Sequence, residues 1–273
     1  MLWANLATAG HEIDDFGIVD ICRRIAFQID ACAWRLHDLS DSYHKELCAR
    51  LSGPRFKSGQ RFESINSFHI SLAAHTYFSE VGTLRDYLAE FLAKHVFSAA
   101  ALQGRIVRLM SGLRKYVLPN IDPDHALKQE VEKICADDGW LNIVSAYRDL
   151  AIHYAPLEFA DGHASFETSI FRSKAGDEFP GIRFHLPKDP VGLKTERSRE
   201  PPIKSASEWL KATQLARADG SRGPDALLIA YHSLRWLCEF AERVASYAPV
   251  KPKMVHFTVG DNDELGEPRF VDP

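Results

Sequence analysis

Residues 12–50, EIDDFGIVDICRRIAFQIDACAWRLHDLSDSYHKELCAR, decide the fold class. Phe16, Val19, Ile21, Ile25, Ile29, Ala33, Leu36 and Leu39 recur mostly at spacings of three and four with no proline among them, which predicts one long helix, or two with a break. The following segment, LSGPRFKSGQR (51–61), has the Gly, Pro and Ser of a loop. A second long helix is predicted from about Ser64 into the nineties, and Gly104 bends or ends its successor. A third helical stretch closes near Tyr116, where Leu118-Pro119-Asn120 break the pattern. Pro123 behind Asp122 fits a first-turn proline, opening a helix that ends near Asp137-Asp138-Gly139. One more helix starts there and stops at Pro156, because the residue before a proline is pushed out of the helical region.

Beyond Pro156 the texture changes. Ser165–Phe171 and Ile182–Phe184 are short β-prone runs around a polar, Gly-containing turn, predicting a small hairpin or meander inserted into a helical protein. Residues 188–202, KDPVGLKTERSREPP, read as an exposed connection. Helices are predicted over about 205–217 and 224–247, a strand over 253–259, and a loose acidic tail. The predicted fold is mainly α, a bundle of long antiparallel helices. Its parts are a helical core over 1–157, a β-prone insert and linker over 158–203, C-terminal helices packing on the core over 204–248, and a tail over 249–273.

The 273 residues are 45% hydrophobic and 26% charged with a net charge of −4, values that exclude a disordered chain and a uniformly basic one. Cys22, Cys32, Cys48, Cys135 and Cys238 are an odd number with no C-x-x-C pair, and read as buried, reduced thiols of a cytoplasmic protein. No window of about 18 residues is uncharged and apolar, so no membrane span is expected. The opening MLWANLATAGHEIDDF lacks the basic start of a secretory signal.

Several chemistries lack their motifs. Gly176 and Gly181 have P-loop spacing, but Ile182-Arg183 follow in place of Lys and Ser/Thr. There is no G-x-S-x-G, no H-E-x-x-H and no E-x-x-H, and no cofactor or metal is expected. His37 and His44, with Asp30 and Asp41 nearby, stand roughly 10 Å apart along one helix face, too far to share a metal alone. They read as a solvated or partner-facing stripe.

Residues 137–156, DDGWLNIVSAYRDLAIHYAP, carry the chemistry. Trp140, Ile143, Val144, Tyr147, Leu150 (or Ala151) and Tyr154 form a core-facing stripe. Asn142, Ser145, Asp149 and His153 share another face, with Arg148 at its edge. Asp149 lies one helical turn before His153 and can fix its tautomer, while Arg148 can reach beside both. A guanidinium, an oriented imidazole and a carboxylate near a helix end make a plausible phosphate site.

This segment resembles the HEPN superfamily, whose signature is Arg, four residues, His, with a polar residue often after the arginine; Arg148-Asp149-Leu150-Ala151-Ile152-His153 matches position by position. The resemblance implies metal-independent RNA cleavage at the interface of a homodimer. His153 would act as general acid or base, Arg148 would bind the scissile phosphate and Asp149 would orient both. The products would be a 2′,3′-cyclic phosphate and a 5′-hydroxyl. Many such proteins are toxins or defence effectors, some restrained by a nucleotidyltransferase-type antitoxin. One branch modified by such a partner has tyrosine two residues after the histidine; here Ala155 stands there and Tyr154 is adjacent.

Between Glu90 and Asp122 no acidic residue occurs, while Arg105, Arg108 and Lys115 fall nearly on one helical stripe, a candidate contact for RNA phosphates beside Asn142 and Ser145. Another reading keeps the same cluster but makes the chain a non-catalytic helical scaffold or regulator that binds a nucleotide or a protein partner. A third places a site in the β insert around His163 or His185.

Overall fold

The computed structural model describes residues 1–53, 56–97, 106–154, 166–197 and 223–254. The fold is mainly α, with one two-stranded antiparallel sheet among the described residues, as the sequence predicts. It divides into two compact units. The predicted helix over 205–217 lies outside the described residues. The predicted strand over 253–259 does so from residue 255, and Lys253–Met254 are not in a strand. No helix among the described residues is long and apolar enough to cross a membrane.

The first unit comprises residues 1–29, 84–121 and the described part of 239–273. It opens with a helix that the sequence reading did not foresee, α1 (Leu2–Glu12), followed by α2 (Phe16–Leu51). The break between them has a local cause. Asp14 adopts φ +56°, a left-handed conformation that ends α1, and the Asp15 carboxylate accepts the Ile18 N–H at 3.0 Å to cap α2. Trp3 meets Phe91 edge-on at 5.0 Å in a core with Leu6, Ile18, Ile21, Ile25 and Leu88. There α3 (Ile65–Phe91) continues as a π-helical turn, Leu92–Val96. Arg24 holds both oxygens of Glu90 at 3.2 Å. Asp86 accepts the Met110 N–H at the start of α4 (Met110–Gly112), which runs on through a π-turn, Leu113–Val117, and a 3-10 turn, Leu118–Asn120.

The second unit comprises the described parts of 30–83 and 122–238. Arg35 faces Glu80 at 3.9 Å, and Ser64 donates to the Glu46 carboxylate at 2.7 Å, so α2 and α3 form an antiparallel hairpin here. Asp122 and Pro123 form a turn, and α5 (Ala126–Ile134) begins only after it. α6 (Trp140–Asp149) and the π-turn Leu150–Tyr154 follow. The hairpin pairs β1 (Phe166–Arg172) with β2 (Glu178–Phe184) in the register Phe166 to Phe184 through Arg172 to Glu178. Gly176 takes φ +93° at its tip and Gly181 pairs with Ser169 within β2, so the P-loop-like glycine spacing belongs to the hairpin. The predicted loop over 51–61 does more than connect, because Thr168 of β1 exchanges backbone bonds with Gly59 and Gln60.

Residues 188–202 were expected to be an exposed connection, and Pro190–Arg197 instead form a helix, α7. Asp189 caps it by accepting the Gly192 N–H at 2.8 Å, with Pro190 as the first helical residue. α8 (Ala226–Ser246) is capped by Asp225, whose carboxylate accepts the N–H groups of Leu228 and Phe184 and the Tyr43 hydroxyl at 3.0–3.1 Å. Tyr77, fully buried, donates to the Ala230 carbonyl at 2.6 Å and meets the Ser233 hydroxyl at 2.8 Å. Trp140 and Trp236 pack with ring centroids 5.8 Å apart. Cys22, Cys32 and Cys135 are buried, whereas Cys48 is exposed, contrary to the expectation that all are buried.

Candidate active site

The motif lies on α6 and the π-turn that follows it. Val144, Tyr147 and Leu150 are buried as predicted, together with Leu141 and Ala146, while Trp140 and Ile143 are only half-buried. The Tyr147 hydroxyl fixes the helix by donating to the Pro187 carbonyl at 2.9 Å, and its ring packs on Phe78 of α3.

In a continuous α-helix Arg148 and His153, five residues apart, would point about 140° away from each other. The chain does not continue as an α-helix. From Leu150 the bonding changes to the wider i→i+5 pattern, so the angle between Arg148 and His153 is smaller than the α-helical one. The same change replaces the α-helical spacing on which an Asp149–His153 bond was expected. His153 is exposed.

The Asp149 carboxylate is gripped by two cations. Arg148 Nη1 bonds Oδ1 at 2.9 Å, and Lys194 Nζ of α7 bonds Oδ2 at 2.5 Å. Half-burial pushes the Asp149 carboxyl up, but hydrogen bonds and charge from Lys194 and Arg148 outweigh it and hold the group below the usual carboxylate range. The stem of Arg148 crosses α3 at Gly82. A Cβ added there would stand 3.2 Å from Arg148 Cγ and Nε. Arg148 Nε is buried without a hydrogen-bond partner.

Two residues of this arrangement escaped the sequence reading. Lys194 lay in the segment taken for a connection, although Asp189-Pro190 is a helix-start signal. Gly82 carries no local signal, because its role is set by a helix distant in sequence.

The proposed substrate-binding residues are placed as follows. Asn142 donates to the Asp137 carbonyl at 3.2 Å, and Ser145 donates to Leu141 at 2.6 Å within the helix. Arg105 lies outside the described residues. Arg108 and Lys115 are exposed in the first unit, but Arg108 precedes α4 in non-helical chain and Lys115 lies in a π-turn, so the predicted α-helical stripe does not form. Of the histidines in the alternative β-insert site, His163 lies outside the described residues. His185 is fastened in place, with Nδ1 2.9 Å from the Gly223 carbonyl and Nε2 3.0 Å from Glu167.

Among the described residues no group of three or more His, Cys, Asp or Glu converges as metal ligands would. No family model, no curated protein and no solved structure matches the chain.

Proposed function

We propose that the chain is a metal-independent endoribonuclease of HEPN type, acting as a cytoplasmic homodimer. The observation that supports this reading is the Arg148–Asp149 ion pair on a helix whose terminal π-turn carries an exposed His153. His153 takes the proton of a ribose 2′-hydroxyl, and the 2′-oxygen attacks the adjacent phosphorus. The bond from phosphorus to the 5′-oxygen breaks, and the leaving oxygen takes the proton back from the protonated His153, giving 2′,3′-cyclic phosphate and 5′-hydroxyl ends. Arg148 binds the phosphate and stabilises its developing charge; Asp149 holds the guanidinium in position. Lys194 adds a second cation beside the same carboxylate. Arg108 and Lys115 contact RNA phosphates, and a nucleotidyltransferase-type antitoxin is the kind of partner that would restrain such an activity.

The test is incubation of RNA with the purified protein in EDTA, beside the His153→Ala and Arg148→Ala variants. Cleavage by wild type alone, leaving cyclic phosphate ends, is the expected result. Absent cleavage, or cleavage unchanged in both variants, refutes it.

A second reading makes the chain a scaffold or regulator that binds a nucleotide or a protein partner through the same cluster. It is favoured by the closure of Arg148 and Lys194 on Asp149, the arrangement of a structural ion-pair network. RNA binding that persists without cleavage would select it.

A further inference from the structure

We infer that the second unit contains a binding site for a monoanionic amphiphile of the fatty-acid class, an apolar body ending in one carboxylate. The site is a cavity of about 1010 Å³ lined by residues of α2, of the β-hairpin and of the start of α8. That volume is at the upper end of the usual range for small-molecule sites. Leu36, Leu47, Ile182 and Leu227 supply apolar wall, and Arg183 is the one Lys or Arg among the described lining residues.

Arg183 decides the class of ligand. Its guanidinium lies over the Phe171 ring at 5.0 Å. It has no ion-pair partner among the described residues, and its Nε is buried without an acceptor. A guanidinium with no ion-pair partner at a cavity wall attracts a carboxylate, with which it forms charge-assisted hydrogen bonds. Asp225 also lines the cavity, but its carboxylate is engaged by Phe184, Leu228 and Tyr43 and does not serve Arg183. One unpaired permanent cation in an apolar cavity matches a single negative charge better than a dianionic phosphate. His37 and His44, which the sequence reading took for a solvated or partner-facing stripe, both line this cavity.

The experiment is calorimetric titration of the full chain with decanoate, decanol and decyltrimethylammonium, each below its aggregation concentration. Decanoate is expected to bind saturably at one site, and the other two at least tenfold more weakly. Arg183→Met should weaken decanoate at least tenfold and leave decanol unchanged. Leu227→Trp, which puts a bulkier side chain into the cavity wall, should weaken decanoate and decanol alike, with circular dichroism and thermal melts confirming that both variants are folded. The wild-type ligand series needs no variant, so it decides the matter even if Arg183→Met does not fold. No binding of decanoate, or equal binding of decanoate and decanol, overturns the inference. So does a folded Arg183→Met protein with unchanged affinity. None of these outcomes depends on RNA cleavage.

Discussion

Gly82→Ala in α3 should have an effect on stability that depends on whether Arg148 is present. In a helix interior, replacing Gly by Ala stabilises by about 1 kcal/mol through backbone entropy. Opposing this, the new methyl would stand 3.2 Å from Arg148 Cγ and Nε, a few tenths of an ångström inside ordinary van der Waals contact. The Arg148 side chain is 28% exposed and can give way, at a rotamer cost of about 0.5–1.5 kcal/mol. The two effects nearly cancel, so Gly82→Ala alone should change stability by less than about 1 kcal/mol. In an Arg148→Ala background the opposing contact is gone, and the same substitution should stabilise by the full amount of about 1 kcal/mol. Urea unfolding of the four proteins, followed by tryptophan fluorescence with m-values compared, measures this coupling. An effect of Gly82→Ala equal in both backgrounds to within about 0.3 kcal/mol would refute the placement of Arg148 against α3. Because the guanidinium is displaced, the proposed nuclease should also lose roughly tenfold in cleavage rate while remaining folded.

Tyr77→Phe removes a buried hydroxyl that serves Ala230 and Ser233; since Ser233 also bonds Ala230 at 3.0 Å, the loss should be about 1–2 kcal/mol, and no loss in urea unfolding would contradict the packing of α3 on α8. Lys194→Met should raise the Asp149 carboxyl toward its ordinary value, read by carbon-detected NMR titration. Because the depressed folded value stabilises the protein above the unfolded carboxyl range and is lost as pH falls through it, the variant should lose less stability on acidification than wild type. Asp225 behaves in the opposite sense. Burial lifts its carboxyl above the ordinary value despite the hydrogen bonds it accepts, so the native state holds the proton more tightly than the unfolded chain. Its contribution is therefore largest in acid and falls as pH rises from about 4 through the folded value. Asp225→Asn should flatten that part of the stability–pH curve, and identical slopes for variant and wild type would count against the buried placement.

The helical class was legible because apolar residues from Phe16 to Leu39 keep their spacing over several turns, a signal that packing reinforces. The hairpin was legible from its β-prone runs around a glycine-containing turn; Phe166, Thr168, Ile182 and Phe184 are buried, and Glu167 is buried between the first two. Less was readable where one side chain decides. A single left-handed Asp14 ends α1, and nothing in its neighbours requires it. Asp189-Pro190 did announce α7, but the surrounding prolines and charges suggested a linker. In the motif, the residue types and order were visible and the turn type was not. The change from α to π bonding after Asp149 begins at Leu150, which is fully buried, and it alters the angle between the arginine and histidine of an Arg-x4-His sequence. The cavity was invisible for a related reason, since its walls come from three segments and its one cation, Arg183, lies in a strand with no neighbouring charge pattern.

The packing of Trp140 on Trp236 gives the motif helix an optical signature. Trp140 is the first residue of α6, and its indole lies 5.8 Å from that of Trp236 at an inclination of 44°. Two transition dipoles that close and that inclined couple as excitons, producing a paired positive and negative band in far-ultraviolet circular dichroism. The couplet exists only while α6 is seated against α8, so its amplitude follows the docking of the helix that carries Arg148 and Asp149, with no label attached.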